Sequence, residues 1–83
     1  FNHINLSCTI GHDVQFHDYI TVYPGVNISG NVIMNDCVEV GTGTKIIQGK
    51  KIVEETVIGA GSVVVKDIVE NGTYIGVPAK QMK

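Results

Sequence analysis

The sequence predicts an all-β chain: a single-stranded parallel β-helix of hexapeptide repeats, three to four coils long, closed by a short carboxy-terminal cap. Three observations carry this. Stepping by six from Ile4 lands on Ile10, Phe16, Val22, Ile28, Met34, Val40, Ile46, Ile52, Ile58 and Val64, all large and apolar. Four places after each of these stands Cys8, Val14, Ile20, Val26, Val32, Val38, Thr44, Lys50, Thr56, Ser62 or Ile68, mostly small or β-branched, with Lys50 the exception. Turn formers fill the gaps.

A helix repeats every 3.6 residues and a half-buried strand every two, so neither selects each sixth position for bulk. Each hexad therefore reads as a short strand followed by a corner. The corners are Gly11-His12-Asp13, Pro24-Gly25, Ser29-Gly30-Asn31, Asn35-Asp36, Gly41-Thr42-Gly43 and Gly59-Ala60-Gly61. Three hexads make one triangular coil, and the eleven hexads from Ile4 to Val69 make between three and four. Parallel strands of successive coils lie about 4.8 Å apart, so residues 18 apart in sequence become stacked neighbours and the chain can be read in columns.

The repeat region spans residues 1–69. From Glu70 onward Gly72, Gly76 and Pro78 break the hexad register, so residues 70–83 read as a cap and tail that cover an open strand edge. Nothing caps the first coil, and the chain starts at Phe1 inside patterned sequence without an initiator Met. Both points suggest the carboxy-terminal part of a longer protein.

With 83 residues, one core is marginal alone, and oligomerisation is expected. A net charge of −2 with six scattered basic residues gives no footprint for nucleic acid. No run approaches the roughly 18 apolar residues of a membrane span, and no leader resembles a secretion signal. Cys8 and Cys37 have no metal-binding or redox spacing. A reduced, cytoplasmic setting fits this best.

Of the histidines His3, His12 and His17, only His12 sits in a corner between a glycine and an acid, Asp13. Acyl transfer to an amine or hydroxyl needs a group that takes the acceptor proton, and imidazole suits that role near neutral pH. A neighbouring carboxylate favours the protonated imidazole and raises its basicity. A surface histidine beside an aspartate can equally be solvated and idle. Columns add to the first reading: Gly30 falls beneath His12, Ala60 beneath Thr42 and Gly59 beneath Gly41, leaving room for a narrow molecule. Tight corners also demand small residues for their own sake.

The runs Ile4-Asn5-Leu6-Ser7-Cys8-Thr9-Ile10-Gly11-His12-Asp13, Pro24-Gly25-Val26, Ser29-Gly30-Asn31-Val32, Val57-Ile58-Gly59-Ala60-Gly61-Ser62-Val63-Val64 and Ile75-Gly76-Val77-Pro78-Ala79-Lys80 resemble one group of hexapeptide-repeat acetyltransferases. This is the group of bacterial sialic-acid O-acetyltransferases and nucleotide-linked amino-sugar N-acetyltransferases, and the resemblance covers nearly the whole chain. It implies a left-handed β-helix, an exception to the usual right-handed crossover. It also implies acetyl-CoA as co-substrate and a sugar or nucleotide-sugar acceptor. Homotrimers with active sites between neighbouring subunits follow from it, as does an amino-terminal αβ domain upstream that helps bind the sugar nucleotide.

By the same resemblance His12 is the catalytic base and Asp13 the acid that increases its basicity. Asn5 lies near the acceptor sugar. Thr21, Gly30, Thr42 and Ala60 contact acetyl-CoA, and Lys80 lies near the nucleotide end of the cofactor. The family often has histidine at the position of Thr21 and an apolar residue at that of Thr42, while Gln48 and Lys50 replace a Pro-Gly-Val corner.

Two rival readings remain. His12 and His17, five apart, resemble two zinc ligands of γ-class carbonic anhydrases, a site that needs three histidines around the metal. The third ligand would fall upstream of Phe1, and His3 is out of register. Alternatively, the solenoid is a non-catalytic assembly module. No metal ligand set is assigned. Cys8 points inward and Cys37 has no histidine near it in sequence, so neither is read as a nucleophile.

Overall fold

The computed structural model describes residues 2–5 and 7–82; Phe1, Leu6 and Lys83, which fall within the quoted runs and domain limits, lie outside the described residues. The described residues form a parallel β-solenoid with three faces. Face A stacks β1 (His3–Ile4), β4 (Thr21–Val22), β7 (Glu39–Val40), β10 (Thr56–Ile58) and β12 (Gly72–Ile75), with β13 (Lys80–Gln81) antiparallel at its end. Face B stacks β2 (Thr9–Ile10), β5 (Asn27–Ile28), β8 (Lys45–Ile46) and β11 (Val63–Val64), and face C stacks β3 (Gln15–Phe16), β6 (Ile33–Met34) and β9 (Lys51–Ile52). The hand is left, as the resemblance implied.

The ladders explain the sequence period. His3 pairs with Thr21 and Thr21 with Glu39; Thr9 pairs with Asn27 and Asn27 with Lys45; Gln15 pairs with Ile33 and Ile33 with Lys51, each a step of 18 residues. In each two-residue strand of the coils the second residue points inward, and in β10 the third does. Val22, Ile28, Met34, Val40, Ile46, Ile52, Ile58 and Val64 are at most 2 % exposed and line the axis. The residues four places on fill the corners from within, and all from Ile20 to Ile68 are buried except Lys50, which is half-buried.

Hydroxyls enter this core only where the backbone receives them. Thr44 Oγ1 and Ser62 Oγ donate to the Gly59 carbonyl at 3.0 and 2.7 Å, and Thr56 Oγ1 donates to the Val53 carbonyl at 2.8 Å. A buried hydroxyl without a partner would cost about 1–3 kcal/mol, and among the described residues no buried side-chain polar atom lacks one.

The regular step ends earlier than the hexad count suggests. Val63 and Val64 still pair with Lys45 and Ile46, but Ile68 bridges to Ile52, and Thr56 to Ile58 pair with Gly72 to Tyr74, steps of 16 residues. The corner at 65–67 is thus two residues shorter than the one it stacks on. Asp67 Oδ1 accepts the Lys51 N–H at 2.9 Å and holds the contraction in place. Ile68 is buried as its spacing implied, but in the column of Ile52 rather than that of Lys50. The chain then turns through residues 76–79, where the Ala79 N–H reaches the Val63 carbonyl at 2.8 Å, and β13 covers the edge of β12. At the opposite end the same inward columns are open: Ile4 is 43 % and Ile10 39 % exposed.

Candidate active site

His12 occupies the corner between faces B and C in the first coil, and its position over Gly30 is set by backbone contacts. The Asn31 N–H donates to the His12 carbonyl at 2.8 Å, and a Cβ placed on Gly30 would lie 3.2 Å from that same oxygen. One residue earlier the approach is closer still, since a Cβ on Gly11 would stand 2.5 Å from the Gly30 nitrogen. Gly11 is therefore required by proximity of two backbones. The side chain of His12 is exposed, with no hydrogen bond or ion pair among the described residues. Asp13 holds the left-handed backbone position of the corner, φ 58°, a conformation that short polar side chains tolerate. Its carboxylate makes no hydrogen bond to the imidazole within this chain.

The column below His12 runs through Gly30 to Gln48, and Lys66 stands in the contracted corner that ends this edge. Beside it Gly11 and Ser29 are followed by Ile47 and Val65, which are 40 % and 38 % exposed. This edge is open next to the imidazole, apolar farther on and cationic at its end.

A second set of the expected residues gathers on the corner between faces A and B. The Gly61 N–H donates to the Thr42 carbonyl at 2.8 Å, and a Cβ on Gly41 would approach the Ala60 nitrogen to 2.6 Å, so Thr42 and Ala60 are stacked neighbours. Lys80 joins them through the tail. It pairs with Ile75, whose side chain lies 3.2 Å from a Cβ built on Gly59. Asn5 belongs to the amino end of the same edge, with Nδ2 donating to the Val22 carbonyl at 3.0 Å.

Thr21 stands apart on face A, between His3 and Glu39. Within one chain, then, His12 and Gly30 form one group, and Thr42, Ala60 and Lys80 another. The two groups flank face B on opposite edges.

The corner between faces C and A holds a feature that the sequence reading did not single out. His17, Asn35, Asp36, Cys37, Glu54 and Glu55 line an open groove of about 570 Å³. Asp36 Oδ1 accepts the Asp18 N–H at 2.9 Å there. The signal was available: Asp18, Asp36 and Glu54 recur at the coil period. The groove also brings His17 to the same edge as Cys37, twenty residues distant in sequence. Among the described residues no three His, Cys, Asp or Glu side chains are grouped to hold a metal, and His12 and His17 stand on different corners. Cys8 is half-buried against the core, its thiol donating to the Tyr23 carbonyl at 3.2 Å.

No family model matches the chain. Individual relatives do. A serine acetyltransferase of Bacillus pumilus is 30 % identical over 90 % of this chain and 38 % of its own length. A GDP-perosamine N-acetyltransferase of Escherichia coli O157:H7 is 38 % identical over 74 % of this chain and 27 % of its own. The acetyltransferase domain of PglB from Neisseria gonorrhoeae FA1090, solved in complex with acetyl coenzyme A, superimposes with a TM-score of 0.94 at 31 % identity, over 98 % of this chain and 40 % of that one. The chain thus spans between about a quarter and two fifths of the length of these proteins.

Proposed function

We propose that this chain, whose sequence and fold are those of the hexapeptide-repeat acetyltransferases, is the catalytic β-helix of an acetyl-CoA-dependent enzyme that acetylates an amine or hydroxyl of a sugar or nucleotide-sugar. The observation that carries this reading is the exposed imidazole of His12 above the side-chain-free column position of Gly30. A thioester can approach the imidazole there without meeting a Cβ.

In the proposed reaction His12 accepts the proton of the attacking amine or hydroxyl. The nucleophile bonds to the thioester carbonyl carbon, the carbon–sulfur bond breaks, and coenzyme A leaves as the thiol, taking a proton from the imidazolium. General-base assistance of this kind contributes about 10²–10⁴-fold. Asp13, one residue on, is the acidic neighbour of this base in the proposed site. Asn5, whose Nδ2 donates to the Val22 carbonyl, would lie near the acceptor sugar.

The acetyl donor is best accommodated between two copies of the chain. Gly30, on the His12 edge, and Thr42, Ala60 and Lys80, on the opposite edge, are separated by face B within one solenoid. A homotrimer that sets the His12 edge of one copy against the Thr42 edge of the next unites them, with Thr21 contributing from face A. Residues 70–83 would close the solenoid at its carboxyl end, and a sugar-nucleotide domain upstream would select the acceptor. No helix of the described residues is long and apolar enough to cross a membrane, and we assign the enzyme to the cytoplasm, where acetyl-CoA is made.

The test is calorimetric titration of acetyl-CoA into the parent protein and into its His12→Ala variant, with turnover measured on a 4-amino-sugar nucleotide. Binding in both with turnover lost in the variant supports His12 as the base. Absence of binding to trimeric wild-type protein ends the acetyltransferase reading.

A further inference from the structure

We propose that Tyr23 is a specificity-determining residue for the acceptor, its ring forming a platform on which the pyranose of the sugar packs, an inference that rests on the reading of the chain as a sugar acetyltransferase with His12 as base. Just after each of the first four strands of face A the chain turns onto the A/B edge, and the residues at that place are Asn5, Tyr23, Gly41 and Gly59, one coil apart. Tyr23 alone of these four is aromatic. It is 39 % exposed, with Asn5 above it and the bare backbone of Gly41 below.

The residue is fastened at both ends. Its N–H donates to the Val40 carbonyl at 3.0 Å, its carbonyl accepts the Cys8 thiol at 3.2 Å, and its Oη donates to Glu39 Oε1 at 3.4 Å. A side chain held in this way loses less freedom when a ligand packs on it. A phenol is an apolar body with a polar tip and an electron-rich face. The flat side of a pyranose offers polarised C–H groups that match such a face.

The level along the axis agrees. A three-fold rotation about an axis parallel to the solenoid closes without translation, so residues of neighbouring copies compare directly by their height. The solenoid advances about 4.8 Å for each 18-residue coil, which sets Tyr23 between His12 and Gly30. In the proposed trimer the A/B edge of one copy faces the His12 edge of the next. Tyr23 then stands across from the base, beside Asn5, at the level where acceptor and thioester meet.

In the full-length enzyme, Tyr23→Ala should raise KM for a 4-amino-sugar nucleotide about tenfold, as expected for loss of one aromatic contact, while the calorimetric affinity for acetyl-CoA stays within about twofold of wild type. Tyr23→Phe keeps the ring and should restore most of the acceptor affinity. Tyr19→Ala, on the corner between faces C and A, is the control and should leave both ligands unaffected. An unchanged KM for the acceptor in Tyr23→Ala overturns the inference. So does an equal loss of affinity for acceptor and donor, which would mark a structural role, and so does a Tyr23→Phe variant as impaired as Tyr23→Ala, which would assign the effect to the hydroxyl. Wild-type enzyme that transfers no acetyl group to the sugar nucleotide would remove the acetyltransferase reading itself, a different result from active wild type with an indifferent Tyr23.

Discussion

The corner that carries His12 and the corner that carries His17 share one backbone and differ in everything attached to it. Both are four-residue turns whose third residue is left-handed: Asp13 and Asn31 at φ 58° and 61° on the first edge, with Gly49 at 77° below them, and Tyr19, Cys37 and Glu55 at 62°, 60° and 58° on the second. On the His12 edge these positions hold aspartate, asparagine and glycine, which tolerate that region. On the His17 edge they hold residues for which it costs about 1–2 kcal/mol each. The apex columns diverge too. One runs His12, Gly30, Gln48 and the other Asp18, Asp36, Glu54. A solenoid corner is thus a neutral frame, and what stacks beneath a residue decides what that residue can do.

The largest expected contrast is catalytic. His12→Ala should reduce kcat by about 10²–10⁴-fold, whereas His17→Ala should stay within about twofold; equal losses would erase the distinction between the edges. Next comes packing. Gly11→Ala would drive a Cβ to 2.5 Å from the Gly30 backbone, and chemical denaturation should show a loss of about 1–3 kcal/mol, typical of overpacking. A neutral result would mean that the two coils under His12 are not in register.

Strain gives a smaller effect of the opposite sign. Glu55→Asn should stabilise the protein by up to about 1 kcal/mol, and Asn31→Glu should destabilise it by a similar amount, because only the side chain's tolerance of φ near 60° changes. The smallest effect expected is Asp36→Ala, which removes the acceptor of the Asp18 N–H and should cost about 0.5–1 kcal/mol. All three stability changes are measurable as shifts in denaturation midpoint at constant slope.

Much of the fold was legible because burial in a β-solenoid is periodic. The apolar series from Ile4 marked the axis, and Lys50, the misfit of the series, is the four-on residue that remains half-buried between Ile20 and Ile68. The contraction at 65–67 was not legible, since Ile68 is apolar and satisfies either inward column; the bonds of Asp67 and Ile68 to the Lys51 backbone select one. At the candidate site the stacking of His12 on Gly30 followed directly from the coil period. The place of Lys80 did not, because the coil period says nothing about how a tail folds back. Lys80 reached the Ala60 corner only through the antiparallel turn of β13. The acidic groove at His17 was overlooked for a simpler reason: its carboxylates sit in separate corners and form no local motif.

The unvarying 18-residue step from the first coil to Val64 makes the solenoid a ruler. Distances along an edge come only in whole divisions of about 4.8 Å, and the number of repeats fixes how many divisions separate one functional side chain from another. Excising residues 33–50 would remove one division, joining Val32 to Lys51 with every inward column intact. His12 and the contracted corner would remain on their edge but one step closer. Reach would then be the property that repeat number sets, adjustable by whole coils without redesign of the chemistry at either end.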